Sequence, residues 1–323
     1  MKIATVSHSH VALRQQLFFQ EVARQGHEVL MVAPGEWFDF RVQSYERDTF
    51  KLVTCRHLGD NIYGYRLLGA KDVMEEFSPD WLYVQAEAGS LLTEEALTWK
   101  VGRRALFVWE NIKLKGDLKE LPRYDLVICG NPEAEALVRV HNPNTTLMLQ
   151  VGVDTDHFQA RPDVERNIDV AYIGRPAPEK GLPYVIRAWP TVKVLEWKDF
   201  RELPWCYSQA RIIVAFSQDI PYWREQAPNY VALESLACGC GVVISDTPAM
   251  KYWLEGCPTT VVVEGHEQVS SDLDLGRVIR LKEGIQKALE MEIKEEGREW
   301  VCERFSNQRV AQRLLELFNI SMV

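Results

Sequence analysis

Short apolar runs of strand length alternate with segments of helical spacing along the whole chain, and this rhythm leaves few folds open. Parallel strands cannot be joined by tight turns; each pair needs a crossover, usually a helix. The alternation therefore specifies an α/β protein with parallel sheets. Strands are predicted over 2–6, 27–32, 81–84, 105–109, 126–129 and 146–150, with helices over 11–25, 92–101 and 133–140. A second set follows, with strands over 168–173, 192–195, 211–216, 242–245 and 259–263. Its helices are predicted over 182–188 and 202–210, from near Pro228 to a stop at Gly239, and over 281–291. Residues 293–318 read as helical with a break at Phe305-Ser306-Asn307. The polar stretch 159–167, with Pro162 among Arg161, Asp163, Glu165 and Arg166, separates the two blocks and is the expected linker. The expected domains are 1–158 and 159–305, with a C-terminal helix, 306–323, packing back on the first. Two such blocks place a ligand in a cleft at the carboxyl ends of their strands.

Bulk properties narrow the function. The 323 residues suffice for two domains of ordinary size, and 46% hydrophobic with 26% charged residues fits a soluble globular protein. No apolar run reaches the length of a transmembrane helix. The chain turns polar directly after Val6, which suits a first strand and not a signal peptide. A net charge of −9 disfavours broad nucleic-acid binding, although it leaves room for a local basic groove. Seven cysteines form no regular framework, and Cys238 and Cys240 have no partner at metal-site spacing. They read as reduced thiols of a cytoplasmic protein.

Two segments carry chemistry. Glu225-Gln-Ala-Pro-Asn-Tyr-Val-Ala-Leu-Glu234 leads from a loop into a short helix. The unpaired N–H groups of a helix start suit a phosphate, and Glu234, one to two turns in, is placed to grip ribose hydroxyls. Together they point to a nucleotide; the plain alternative is a βα unit with a solvated Glu. Gly174-Arg-Pro-Ala-Pro-Glu-Lys-Gly181 follows a predicted strand. Gly174 permits close backbone approach. Arg175 can fork two phosphate oxygens while Lys180 supplies a mobile point charge. A departing diphosphate needs both; the alternative is two solvated loop cations.

Three runs in order now resemble a known family: Val151-Gly-Val-Asp-Thr-Asp-His-Phe158, Tyr172-Ile-Gly-Arg-Pro-Ala-Pro-Glu-Lys-Gly-Leu182 and Asn229-Tyr-Val-Ala-Leu-Glu-Ser-Leu-Ala-Cys-Gly239. They are similar to family 4 retaining glycosyltransferases of the GT-B fold, over most of residues 120–320, and the start of the chain is similar too. The resemblance implies two Rossmann-like domains with parallel sheets facing a central cleft. It puts Gly174, Arg175 and Lys180 at the donor diphosphate, Glu234 at the donor ribose, and the backbone of Asn229, Tyr230 and Val231 toward the phosphates. In the family a first Glu precedes the second by eight positions. That position is Gln226 here, with Glu225 beside it. Either a loop shift brings Glu225 in, or an amide serves. The family's glycine-rich first loop is replaced by Ser7-His-Ser-His-Val11. Its His8 and His10 contact the acceptor or the donor phosphate, or else are solvated or capping histidines. A family His near the sugar is replaced by Trp109-Glu110-Asn111. Glu110 is the expected catalytic carboxylate there, with Asn111 on the acceptor side and Glu87 as the rival; a purely structural role is open for both carboxylates. Trp197 or Lys198 borders the base, unless Trp197 is a core residue. The aromatics of 218–225 line the sugar or acceptor pocket, or pack that loop on its own domain.

The expected activity is transfer of a sugar from a nucleotide-diphosphate sugar, such as a UDP-sugar, to an acceptor hydroxyl with retention of configuration. No metal or other cofactor is expected: Arg175, Lys180 and the helix start near Asn229 stabilise the leaving group, and Asp154-Thr-Asp156 reads as a turn. The acceptor is a carbohydrate, a lipid-linked group or another hydroxyl, and peripheral membrane association is compatible with it. The alternatives are a sugar-nucleotide epimerase or hydrolase on the same fold, and a catalytically silent nucleotide-sugar binding protein.

Overall fold

The computed structural model describes residues 1–42, 49–116, 118–195, 199–265, 274–291 and 295–320. The chain divides into two units, Met1–Gly152 with Asn307–Val323, and Val153–Ser306. Beside two short antiparallel pairs, Glu36–Trp37 with Phe40–Arg41 and His57–Leu58 with Arg66–Leu67, the first unit has one main sheet. Its strands are β1 (Lys2–Val6), β2 (Glu28–Pro34), β3 (Lys51–Cys55), β4 (Trp81–Gln85), β5 (Arg103–Val108), β6 (Leu126–Cys129) and β7 (Thr145–Leu147). These seven run parallel, in the order β7-β6-β5-β4-β1-β2-β3. The central strands are apolar along nearly their whole length, as expected where helices cover both faces. Ile3–Val6 and all of β4 are buried. The strand sequence reverses direction between β1 and β4, which is where open α/β sheets bind ligands, at the carboxyl ends.

Helices α1 (Leu13–Arg24), α2 (Ala70–Phe77), α3 (Leu91–Ala96) and α4 (Pro132–Arg139) make the crossovers of this unit. α1 turns Phe18, Phe19 and Val22 into the core. It begins later than predicted because 8–11 form a 3₁₀ turn, whose Ser7 cap accepts from the Ser9 N–H. α3 ends earlier than predicted; the Thr98 hydroxyl donates to the Glu95 carbonyl at 2.7 Å, a local bond that competes with continued helix. α4 starts as its Asn131-Pro132 pair implies, with Asn131 Oδ1 accepting from the Ala134 N–H at 2.7 Å. β7 stops at Leu147, where its partner β6 runs out at Cys129.

The second unit holds β8 (Ile168–Ile173), β9 (Lys193–Leu195), β10 (Ala210–Ala215), β11 (Gly241–Ser245) and β12 (Thr260–Val263), parallel in the order β9-β8-β10-β11-β12. Here the reversal falls between β8 and β10. The helices are α5 (Leu182–Ala188), α6 (Leu203–Ser208), α7 (Tyr230–Ala237), α8 (Pro248–Leu254), α9 (Leu275–Glu290) and α10 (Glu296–Phe305). α9 starts earlier than predicted because Asp274 caps it, its Oδ1 accepting from the Gly276 N–H at 2.8 Å. Strand β3 and helices α2 and α8 were not among the predicted elements.

The stretch expected as a linker, 159–167, lies inside the second unit. Arg161 N–H donates to Ser208 Oγ at 2.9 Å, and the Arg166 guanidinium donates to the carbonyls of Ala210, Cys238 and Gly239 at 2.7 to 3.0 Å. Arg166 and the Arg161 backbone thus anchor the chain to its own unit. The chain instead passes between units at Gly152–Val153 and at Ser306–Asn307. Val153 bridges Ser306 in parallel, and its N–H donates to the Phe305 carbonyl at 2.7 Å.

The last helix, α11 (Asn307–Ile320), belongs to the first unit and packs on α1. Phe318 stacks on Trp81 with ring centroids 4.5 Å apart and 7° between planes, and meets Tyr83 edge-on at 5.9 Å. Burying one such ring is worth about 1.5–3 kcal/mol, so α11 is a structural member of that unit. Among the described residues no helix is long and apolar enough to cross a membrane.

Candidate functional site

The strand reversal of the second unit gathers the predicted donor residues. β8 exits through Gly174 into a loop pinned by its own strand: Tyr172 Oη is 3.3 Å from the Arg175 carbonyl and 3.2 Å from the Lys180 carbonyl. The loop ends in a 3₁₀ turn, Pro178–Lys180, closed by Gly181 at φ +64°. A Cβ on Gly181 would stand 2.1 Å from the Phe216 carbonyl. Only glycine combines that backbone conformation with that approach, and the Gln218 N–H adds a bond to the Glu179 carbonyl at 2.9 Å. The β8 loop is thereby locked to the exit of β10.

This lock fixes Lys180. Its Nζ lies 2.9 Å from Glu225 Oε2 and 4.6 Å from the centroid of the Trp223 ring. Ser217 Oγ donates to the same Glu225 oxygen. The Glu225 side chain is 8% exposed and that of Lys180 20%. In such surroundings, removing one partner alone costs about 3–5 kcal/mol. Arg175 is held differently. It is 68% exposed, with Nη2 3.5 Å from Glu179 Oε1, a surface pair worth roughly 0–1 kcal/mol. The two cations therefore have separate carboxylate partners.

Helix α7 begins at Tyr230, two residues past Pro228, because Asn229 takes φ +56° and caps it. Asn229 Oδ1 accepts from the Val231 N–H at 3.2 Å. The Val231 amide expected to face a phosphate is thus engaged by the cap, while Tyr230 and Asn229 stay half-buried beside it. Glu234 sits on α7 as predicted. It is 1% exposed, and its Oε2 accepts from Tyr207 Oη of α6 at 3.1 Å. Gln226 is half-buried next to the fully engaged Glu225. Trp197 and Lys198 lie outside the described residues. Asp154 Oδ1 accepts from the Asp156 and His157 N–H groups at 3.2 and 3.0 Å, so that pair does form a turn.

In the first unit the two histidines separate. His10 is fully buried, with Nε2 3.3 Å from Thr5 Oγ1 and Nδ1 3.1 Å from the Val32 carbonyl. Burial pushes its pKa down to about 3. It is a core residue and cannot touch a ligand, contrary to expectation. His8 is neither solvated nor capping. Its ring packs on Trp37 and Tyr65, at 4.9 and 5.4 Å between centroids, and burial lowers its pKa to about 4. It therefore stands neutral at the carboxyl end of β1.

Glu110 and Glu87, read as rivals, are neighbours. Glu110 Oε2 accepts from Tyr63 Oη at 3.1 Å and its Oε1 from the Ile112 N–H at 3.1 Å. Glu87 is 7% exposed. Burial first, and then the negative charge of Glu110, raise its pKa to about 7. Asn111 is buried and donates to Glu133 Oε2 at 3.3 Å. Sequence reasoning missed Ser217, Tyr207, Tyr63 and Lys115. Ser217 closely follows a predicted strand and Tyr207 lies on a predicted helix, so the topology would have found them. Tyr63 and Lys115 lie in irregular segments without any pattern.

No family model matches the chain, and no curated protein matches it by sequence. Its fold, however, is that of solved glycosyltransferases. A sucrose-phosphate synthase from Thermosynechococcus elongatus superposes with a TM-score of 0.73 at 15% identity, over 99% of this chain and 98% of that one. A glycosyltransferase from Rickettsia africae gives 0.72 at 14%, over 99% and 98%. Anabaena HepE, solved with UDP and glucose, gives 0.67 at 14%, over the full length of both chains. The architecture is thus α/β with two parallel-sheet units of the GT-B kind.

Proposed function

We propose that the protein transfers a sugar from a nucleotide-diphosphate sugar to an acceptor hydroxyl, with retention and without a metal. The observation that carries this is the Lys180 ammonium, fixed at the strand reversal of the second unit by Gly181 and held by buried Glu225. In this reading the bond from the anomeric carbon to the diphosphate oxygen breaks, and the electron pair leaves with the diphosphate. Lys180 neutralises the charge that develops, in a low-dielectric setting where a fixed cation is most effective. Arg175 leaves its weak pair with Glu179 to join it. The acceptor oxygen attacks the same face, and its proton passes to the departing diphosphate oxygen. Glu234 holds the ribose, with Tyr207 fixing the carboxylate. Glu225, one position out of the family's register, supplies the carboxylate that Gln226 lacks. The nucleotide UDP and the donor UDP-glucose, both seen bound to Anabaena HepE, are the first ligands to try.

The test is nucleotide release from UDP-sugars in the presence of acceptor mixtures, with and without EDTA. Acceptor-dependent release that survives EDTA, an unchanged anomeric configuration by proton NMR, and its loss in Lys180→Ala are expected. UDP binding without turnover of any donor would favour a silent binding protein, and unimpaired turnover in Lys180→Ala would remove the phosphate role.

A further inference from the structure

The strand reversal of the first unit carries its own polar cluster. β4 and β5 are adjacent, with Gln85 opposite Phe107, so Glu87 and Glu110 leave neighbouring strands at nearly the same level. The Glu110 backbone lies beside the Glu87 carboxyl. Yet Glu87 Oε2, buried in a residue only 7% exposed, has no hydrogen-bond partner among the described residues. Buried polar atoms are seldom left so, and a partner that arrives with a ligand accounts for it.

The cluster is rigid. Ser90 N–H and Thr93 Oγ1 both donate to the Glu87 carbonyl, at 3.1 and 2.8 Å, which ties Glu87 to the start of α3. Leu91 N–H donates to the Tyr63 carbonyl at 2.9 Å, which aims the Tyr63 hydroxyl at Glu110. Gly89, at φ +75°, lets the Lys115 carbonyl approach to where a Cβ would stand 2.2 Å from it. Lys115 Nζ then lies 4.1 Å from the Tyr63 ring centroid.

We propose that Glu87 and Glu110 form a subsite for neighbouring hydroxyls of a neutral saccharide, the acceptor of the reaction proposed above. The inference rests on that reading for the word acceptor, and on the first unit alone for the subsite. A hydroxyl both donates and accepts. A protonated Glu87 offers a donor, the Glu110 carboxylate offers lone pairs, and the charges of Glu110 and Lys115 offset each other. A phosphorylated saccharide would set its charge against Glu110.

Among the described residues, the titratable groups facing Glu87 are Glu110, Tyr63, Tyr65 and Lys115. As pH rises through about 7, Glu87 gives up its proton and the donor is lost. Saccharide binding therefore weakens with rising pH. Glu87→Gln keeps a donor that does not titrate, so its profile is flat.

The full chain is to be tested with UDP-glucose and with mono- and disaccharides in neutral and phosphorylated forms. UDP release and saturation-transfer NMR are the readouts, with UDP affinity followed by calorimetry. Neutral saccharides are expected to be preferred over phosphorylated ones. Glu87→Ala should raise their KM or weaken their NMR signal about tenfold, one hydrogen bond to a buried partner, while UDP affinity stays within about twofold. Glu87→Gln should flatten the pH profile, and it keeps the test valid if the alanine variant does not fold. Preference for phosphorylated forms, no signal from any neutral saccharide, or pH profiles unchanged by Glu87→Gln would overturn the subsite. The NMR arm needs no donor: if UDP does not bind, the nucleotide reading falls and the saccharide signals still decide the subsite.

Discussion

At the scale of single residues, the molecule invests backbone geometry in placing one ammonium. Gly181 is the clearest case, since its left-handed φ and the Phe216 carbonyl 2.1 Å from an added Cβ both exclude a side chain. Gly181→Ala is expected to cost about 1–2 kcal/mol from the backbone conformation alone, and more from the clash. Because the shift moves Lys180, calorimetric UDP affinity should fall further than that of an exposed-loop substitution of equal thermal cost. The positions of Lys180 in the loop after β8 and of Glu234 on α7 were legible in the sequence, because spacing within a βα unit fixes which end of a strand each residue lies near; the choice among their possible roles came from the resemblance alone. Glu87 and Glu110 were legible only as alternatives. That they adjoin depends on β4 and β5 pairing, and a pairing of separate segments has no local signature. His10 was misread for a related reason: a histidine after a first strand looks the same in sequence whether the next turn leads it outward or, as here, onto the Val32 carbonyl.

Among the elements, β1, β4, β6 and β8, whose apolar runs are nearly unbroken, were predicted to within one residue, and so were β9, β10, β11 and β12. β3 escaped prediction because it is a sheet edge: of Lys51–Cys55 only Cys55 is buried, so its pattern resembles a loop. Helix ends were the least legible, since caps such as Asp274 and Asn229 act through one side chain. The terminal helix α11 shows what an element contributes. Phe318→Ala removes a ring stacked on Trp81 and should destabilise the first unit by about 3–5 kcal/mol, the range for deleting a buried aromatic. Urea unfolding should register the loss, and UDP affinity of the second unit should be unaffected at low denaturant.

For the whole molecule, the two units differ in how the chain builds them. The first is assembled from both ends of the chain, and the second is one continuous stretch, Val153–Ser306, closed on itself by the bridge between its end residues. A continuous stretch with its own core clusters around β8, β10 and β11 is expected to fold alone. Residues 153–306 expressed separately should unfold cooperatively in urea and bind UDP with an affinity near that of the whole chain. Loss of either property would mean that the stretch depends on the rest. Because the ends of this stretch touch, its removal leaves its host with a gap that a few residues can span. Topologically the second unit is a graft, and a different cassette with equally close ends could be spliced at the same two joints without stretching the scaffold that receives it.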